Sequence, residues 1–394
     1  MRDFSLLLKT PGLARIVATQ LLARMPAGMF SIGLLMHSEH VYGNYASGGA
    51  VLAALSIGMA VAGPVISRQL SRWGTLPVLL TCLLLATAAL TPMILIPLPL
   101  WAMTMLAAIA GATIPPVQPT VRTLYPKLVP HHLVTPLFGL DAALQEIIWA
   151  LGPVGITTMV VLLGSVTALL IVVALQLVGV VLFIFEPPVR ELRIPKATGG
   201  FGRVALRPAV LLMTVTSLLL IGSLAGMEAA VVAWFGEGST LGGFALAISS
   251  IGSLIGGLIM GHRPLGPWSL PIRLLVVAAG LGLASMASGF WTLSATLFAA
   301  GFGMAPAIAA VSSVIAASVP FADTAEAYGW ITTGQLMGAA LGAALAGVAI
   351  DASGGGAGGM LVSFGIGALA AVVATLFRGA QPDLRRPQGH PHTD

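Results

Sequence analysis

The sequence contains very little charge and a single cysteine. Only 8% of its 394 residues are Asp, Glu, Lys or Arg, whereas 57% are hydrophobic. A water-soluble domain needs far more charge than this to cover its surface. The lone Cys82 lies in an apolar run, which excludes a disulfide within the chain and a cysteine metal site. The composition therefore predicts a protein whose main solvent is lipid.

The sequence also lacks the motifs that signal common chemistries. It contains no Gly-x-x-x-x-Gly-Lys-Ser/Thr phosphate loop, no His-Glu-x-x-His zinc motif and no Gly-x-Ser-x-Gly nucleophile turn. Its few acids and bases are scattered along the chain. We therefore predict that the protein is not an enzyme and that it uses no cofactor and no bound metal.

Long apolar runs recur along the whole chain. A helix needs about 20 apolar residues to cross a bilayer, and twelve runs reach that length. The predicted spans are 13–36, 47–67, 75–97, 101–124, 135–162, 165–186, 208–234, 241–261, 270–290, 292–317, 325–350 and 357–377.

The basic residues predict the orientation of these spans. All but one of the 18 Lys and Arg residues fall in or beside segments on the same side as the two termini, and the exception is Arg24. The charged residues of the opposite loops are all acidic: Glu39, Glu237 and Asp351. By the positive-inside rule, we predict a multi-pass protein of the cell (inner) membrane with both termini in the cytoplasm. The net charge of +5 is then a topology signal, and no nucleic-acid binding is predicted.

An internal repeat relates the two halves of the chain. A shift of 190 residues aligns Gly111 with Gly301 and Gln145 with Gln335, and a shift of 194 aligns Gly58 with Gly252. Six spans per half give both repeats the same orientation, which predicts two pseudo-symmetric six-helix bundles. A helix duplication without transport is the alternative. The predicted segments are an N-terminal bundle at 1–186, a cytoplasmic linker at 187–207, a C-terminal bundle at 208–377 and a disordered cytoplasmic tail at 378–394.

Two short motifs carry a family resemblance. In the loop after the second span, Arg72 and Gly74 match a loop signature in which Ser71 replaces the usual aspartate. The pair Gly152–Pro153 in the fifth span is similar to an element of drug exporters, although ordinary helix packing explains it equally well. With its twelve spans in parallel halves, the chain resembles the major facilitator superfamily, and within it the twelve-helix bacterial drug exporters. The resemblance implies an all-α membrane fold, alternating access and a gating loop at Arg68, Arg72 and Gly74.

Ionisable residues inside spans are costly and therefore candidates for function. Arg24 and Glu146 each lie about 11 residues into a span, which places both roughly 16 Å deep at 1.5 Å per residue. We predict that they pair, with Asp141 nearer the cytoplasmic end as a second partner of Arg24. Two interpretations stay open. The pair couples transport to protons when it separates, or it is a static ion pair that fixes helix register.

Prolines point to a binding site. Pro115 and Pro116 in the fourth span and Pro306 in the tenth predict helix breaks at corresponding places in the halves. The predicted substrate contacts near the repeat interface are Gln118, Gln145, Trp149, Glu228, Trp330 and Gln335. Glu228 lines a cavity mouth or reaches the external interface, whereas Asp323 and Glu326 are expected to be solvated. The stripe Gly334, Gly338 and Gly342 predicts a packing seam.

These observations predict a secondary active transporter, an efflux antiporter of the multidrug type. It would export small hydrophobic or drug-like molecules in exchange for protons, because a mostly apolar cavity suits such passengers better than sugars. Proton-coupled uptake of a small metabolite is an alternative. A membrane sensor that transports nothing is another, from a different class. The predicted partners are the small-molecule substrate, protons and the lipid bilayer, and the chain is predicted to act as a monomer.

Overall fold

The protein is all-helical within the residues that its computed structural model describes, which are 6, 7, 9–197, 199–236, 239–261 and 263–385. No strand occurs among them. Helices suit an apolar chain because each one satisfies its own backbone hydrogen bonds where no water is present. The helices are α1 (Leu13–Arg24), α2 (Ala27–Tyr42), α3 (Tyr45–Trp73), α4 (Thr75–Leu95), α5 (Leu100–Ala112), α6 (Val117–Leu128), α7 (His131–Leu163), α8 (Ser165–Ile184), α9 (Pro187–Arg190), α10 (Pro208–Phe235), α11 (Thr240–Met260), α12 (Ser269–Ala284), α13 (Phe290–Ser318), α14 (Phe321–Ser353) and α15 (Gly356–Leu376).

Each predicted span coincides with one helix or one pair of helices. Among the described residues, ten helical stretches are long and apolar enough to cross a membrane, with the α5–α6 pair counted as one stretch. The two other predicted spans are the α1–α2 pair and α12, which has 16 residues. The all-α membrane fold is therefore confirmed, and the described helices are compatible with twelve crossings.

Two of the spans are broken, and prolines explain both breaks. Pro26 has no N–H to continue α1, and the chain restarts as α2 one residue later. Pro115 and Pro116 separate α5 from α6 in the same way. The predicted break at Pro306 is wrong, because this proline lies inside the continuous helix α13. A single proline removes only one backbone bond, and α13 is held in place by burial along most of its length.

The chain forms two compact units. The first contains residues up to Pro130, Leu144–Val204 and Pro320–Leu336, and the second contains His131–Ala143, Ala205–Val319 and the residues from Met337 onward. Helices α7 and α14 thus contribute segments to both units. The predicted bundle boundaries at 186 and 208 stay a prediction. Of the predicted tail, residues 378–380 form a 3-10 turn and Leu384 N–H donates to the Leu265 carbonyl, whereas 386–394 lie outside the described residues.

The predicted repeat is visible in the structure as the same type of helix crossing in each unit. In the first unit α3 crosses α5, and in the second α11 crosses α13, with glycines that bring backbone against backbone. These contacts are Gly58 with Ala108, Gly111 with Leu55, Gly252 with Phe298, and Gly301 with Ser249. Each of these four contact residues of the second unit lies 190 or 194 positions after its counterpart in the first unit. The structure therefore confirms the alignment of the halves at these positions.

The predicted glycine seam on α14 is confirmed for two of its three members. A Cβ atom added to Gly342 would lie 2.6 Å from the Cα atom of Gly222 on α10, and one added to Gly338 would lie 2.9 Å from Cα of Leu218. Real Cβ contacts are longer than this, so these positions admit only glycine without a shift of the helices.

Candidate functional site

The first unit contains a partly open cavity of about 170 Å³. Most of its wall is apolar, with large side chains such as Phe30, Met59, Ile148 and Trp149. The polar side chains in the wall are those of Arg24, Ser67, Gln118, Gln145, Gln176 and Thr332. Among the described lining residues, Arg24 is the only one with an ionisable side chain.

The two broken spans bring helix ends to this cavity. Pro26 and Ala27, where α2 begins, belong to the wall, as do Pro116 and Val117, where α6 begins. The first N–H groups of a helix have no partner within the helix and carry partial positive charge. The wall therefore combines apolar side chains with half-helix ends, an arrangement that transporters use to bind polar groups of a passenger.

Arg24 lies in the last turn of α1 and is held by two glutamines. Its Nη1 donates to Oε1 of Gln20 at 2.9 Å, and its Nη2 donates to Oε1 of Gln145 on α7. Both Arg24 and Gln20 are buried. A cation at the carbonyl end of a helix is also favoured by the helix dipole. The guanidinium is thus fixed at the break in the first span, facing α7.

Arg122 is a member of this cluster that sequence reasoning missed. The sequence places it among the cytoplasmic basic residues, whereas in the structure it is 3% exposed on α6. Its Nη2 donates to Oε1 of Gln145 at 3.4 Å. With the Gln118 amide oriented so that its oxygen faces Arg122, both terminal nitrogens of Arg122 also donate to that oxygen, at 2.8 and 3.0 Å. The spacing of four residues between Gln118 and Arg122 was a usable signal, since it places both on one helix face. Two arginines therefore share the Gln145 oxygen.

The predicted carboxylates lie on the same helix as Gln145. Glu146 and Asp141 are both buried on α7, at 9% and 1% exposure. Glu146 follows directly after the residue that accepts from Arg24. The ion pair between Arg24 and Glu146 stays a prediction, with Asp141 as the predicted second partner.

The predicted substrate contacts fall into three groups. Gln118, Gln145 and Trp149 line the cavity, and their contact with a substrate stays a prediction. Trp330 does not belong to its wall, because it lies beside Phe201 of the linker, with ring centroids 5.9 Å apart. Gln335 is half-buried on α14 and lies outside the wall, and Glu228 is exposed on α10 in the second unit.

Arg68 of the predicted gating loop is partly buried and forms an ion pair with the buried Glu326 of α14. Arg68 Nη1 lies 2.8 Å from Oε2 of Glu326 and its Nη2 donates to the Gly199 carbonyl at 2.5 Å. Glu326 Oε1 accepts from the Gly202 N–H at 2.9 Å. The prediction that Glu326 and Asp323 are solvated is wrong, because they are 2% and 9% exposed. The linker covers Glu326, and nothing in the local sequence of α14 signals that cover.

The other two residues of the predicted loop have simpler roles in the structure. Arg72 is exposed in the last turn of α3. Gly74 has a φ of +90°, which favours glycine, and it separates α3 from α4. Their contribution to gating stays a prediction.

The shared Gln145 oxygen leads to a first prediction. Replacing Gln145 by leucine removes the acceptor of two buried guanidinium groups, and hydrogen bonds to charged groups contribute about 1.5–3 kcal/mol each. We expect the Gln145→Leu variant to lose about 2 kcal/mol of unfolding free energy, measured by titration with sodium dodecyl sulfate in mixed micelles. The control is Gln335→Leu at the repeat-related position, whose side chain makes no hydrogen bond in the described part of the chain. Equal losses for both variants would contradict the role assigned to Gln145.

Comparisons with known proteins were made on both sequence and fold. A sequence profile of the Major Facilitator Superfamily matches residues 16–270. No curated protein sequence matches the chain. Solved structures, in contrast, match along almost its whole length.

Three solved transporters illustrate this likeness. A bacterial homologue of the iron transporter ferroportin, in an outward-facing state, is 14% identical with a TM-score of 0.76, over 93% of this chain and 99% of that one. The human organic anion transporter MFSD10 is 15% identical with a TM-score of 0.73, over 92% and 100%. The E. coli fucose:proton symporter FucP is 14% identical with a TM-score of 0.73, over 92% and 98%. At these identities the likeness shows the fold. Since the profile covers more than half of its residues and the fold agrees, the chain belongs to the Major Facilitator Superfamily.

Proposed function

We propose that the protein exports small hydrophobic or drug-like molecules by alternating access, in exchange for protons. Its family makes it a transporter and not an enzyme. The passenger, the direction and the coupling ion are the proposed parts. We further propose that it works as a monomer in the cell (inner) membrane, with both termini in the cytoplasm, because its basic residues follow that topology.

The largely apolar wall of the cavity is the observation that carries the proposal. Sugars and other polyhydroxylated metabolites need many hydrogen-bonding partners, whereas this wall offers few polar side chains among large apolar ones. A passenger with an apolar body gains free energy by leaving water for such a wall. Three of the predicted substrate contacts line this cavity: Gln118, Gln145 and Trp149.

The direction of transport is tested by measuring how much of a compound accumulates in cells. Cells that overproduce the protein should retain less of an exported compound than cells that lack it, and the difference should collapse when the proton gradient is dissipated. Higher accumulation of one solute in the overproducing cells would support proton-coupled uptake instead. Purified protein in liposomes that binds a compound without moving it would support a sensor.

The proton-coupling role is proposed for Glu146, beside the Gln145 oxygen that Arg24 contacts. If Arg24 changes partner during transport, the buried carboxylate can take up and release a proton. In everted membrane vesicles, a pH gradient should drive substrate uptake by the Glu146→Gln variant at a rate at least tenfold below that of the unmodified protein. Exposed Asp351, replaced by asparagine, is the control and should retain full activity. Undiminished transport by Glu146→Gln would leave the static ion pair as the remaining interpretation.

A further inference from the structure

We infer that the second unit binds an anionic membrane phospholipid, with the charged headgroup of the lipid at Arg263 and Arg378. The binding surface consists of residues 263–268, which lie between α11 and α12, and residues 377–385, which follow α15. We call this surface the arginine patch. Such a lipid site goes beyond the proposed function, because it depends on neither the passenger nor the direction of transport.

Direct contacts bring the two segments of the arginine patch together. The Leu384 N–H donates to the Leu265 carbonyl at 2.8 Å. The Arg378 guanidinium lies over the Trp268 ring, with its Cζ atom 4.6 Å from the ring centroid, and its Nη1 donates to the Thr375 carbonyl at 3.1 Å. The arginine patch is therefore one surface, at the side of the second unit where the apolar helices α11 and α15 end.

The arginine patch carries positive charge that no described acidic residue balances. Arg263, Arg273 and Arg378 form no ion pair with an acidic residue in the part of the chain that the structure describes. Arg263 and Arg378 are both exposed. The two segments contain a single acid, Asp383, and it is engaged by Arg385 at 2.9 Å. An anionic group from outside the chain would supply the missing charge.

A buried arginine beneath this surface adds to the positive charge. Arg273 of α12 is 3% exposed, and its guanidinium donates to the Pro306 carbonyl at 2.7 Å and to the Met260 carbonyl at 3.0 Å. Carbonyl oxygens satisfy its hydrogen bonds but carry only partial charges, so a net positive charge stays buried. Arg263 is near enough to act on Arg273 as a second positive charge. Because a buried charge is screened less than one in water, it reinforces the attraction of the patch for an anion.

Exposed apolar side chains beside the arginines identify the anion as a lipid. Trp268, Leu376 and Phe377 are 52%, 71% and 60% exposed. Tryptophan is enriched where a membrane protein crosses from acyl chains to headgroups. A soluble anion would leave these side chains in water, whereas a phospholipid covers them with its acyl chains while its phosphate meets the arginines. Basic surfaces at this depth of the bilayer are known to bind anionic headgroups.

The test is native mass spectrometry of the full chain in detergent, with phosphatidylglycerol and phosphatidylcholine of identical acyl chains. We expect the unmodified protein to bind the anionic phosphatidylglycerol about thirtyfold more tightly, because two arginines near a membrane surface contribute about 1 kcal/mol each. The double variant Arg263→Gln with Arg378→Gln should lose most of this preference and keep its affinity for phosphatidylcholine. The control, Arg190→Gln with Arg193→Gln, removes the same charge from exposed residues of the linker and should keep the preference.

Four outcomes would overturn the inference. The first is equal affinity of the unmodified protein for the two lipids, which decides the matter even if a variant does not fold. The second is a double variant at Arg263 and Arg378 that retains the preference. The third is an equal loss in the linker control, which would assign the effect to net charge instead of the arginine patch. The fourth is displacement of phosphatidylglycerol by an equal concentration of soluble glycerol 3-phosphate, which would indicate a phosphate site without a role for the acyl chains.

Discussion

The Arg68→Met variant is expected to lose about 3 kcal/mol of unfolding free energy, because it leaves the carboxylate of Glu326 buried without its cation. Glu326 is 2% exposed, and Arg68 Nη1 lies 2.8 Å from it. Removing one member of a buried ion pair costs far more than the pair contributes on balance. Titration with sodium dodecyl sulfate in mixed micelles would measure the loss.

Two further variants separate this cause from a general loss of packing. Arg72→Met removes an exposed arginine one turn away on α3 and should change stability by less than about 0.5 kcal/mol. The double variant Arg68→Met with Glu326→Gln should recover most of the loss, since no buried charge remains and the glutamine oxygen can still accept from the Gly202 N–H. A double variant as unstable as Arg68→Met alone would contradict the ion-pair explanation.

The second large effect is expected at the glycine seam of α14. Gly342→Ala places a methyl group 2.6 Å from the Cα atom of Gly222, so α10 and α14 must separate. Overpacking of this kind costs about 1–3 kcal/mol even where side chains can adjust, and here the obstacle is backbone. We expect a loss at or above the upper end of that range, visible as a smaller fraction of folded protein in fluorescence-detected size-exclusion chromatography after heating.

Another glycine of α14 offers a control for which a stability change of the opposite sign is expected. Gly347 has no atom within 4 Å of the position where its Cβ would lie. Alanine is a better helix former than glycine by about 0.5–1 kcal/mol, so Gly347→Ala should stabilise the protein slightly. Equal behaviour of the two alanine variants would show that helix propensity and not close packing dominates at the seam.

Hydropathy predicted the helices well because a lipid solvent leaves a strong pattern in the sequence. Every predicted span has a counterpart in α1 to α15, and the repeat offset relates the glycine contacts of the two units. Within the site, the cavity wall includes Arg24 and three of the predicted substrate contacts, Gln118, Gln145 and Trp149. These residues are polar or aromatic in positions where lipid-facing residues would be apolar, which is why they could be found.

The rest depends on contacts between residues distant in sequence. Glu326 meets Arg68 across 258 residues, and Trp330 meets Phe201 of the linker, so neither environment is visible in the sequence around it. Proline chemistry was ambiguous in the same way. Pro26 ends a helix and Pro306 does not, although both lie within apolar runs. The neighbouring helices decide whether the chain restarts or continues.

The lengths of α7 and α14 have a consequence for their motion in the bilayer. Each has 33 residues, or about 50 Å at 1.5 Å per residue, whereas the hydrocarbon layer is about 30 Å thick. A 20-residue helix such as α8 matches that thickness only when it stands upright. The longer helices can lean by up to roughly 50° before either end is drawn into the acyl chains. The two helices that contribute to both compact units are thus the longest of the described helices, and they have the most length to spare for tilting.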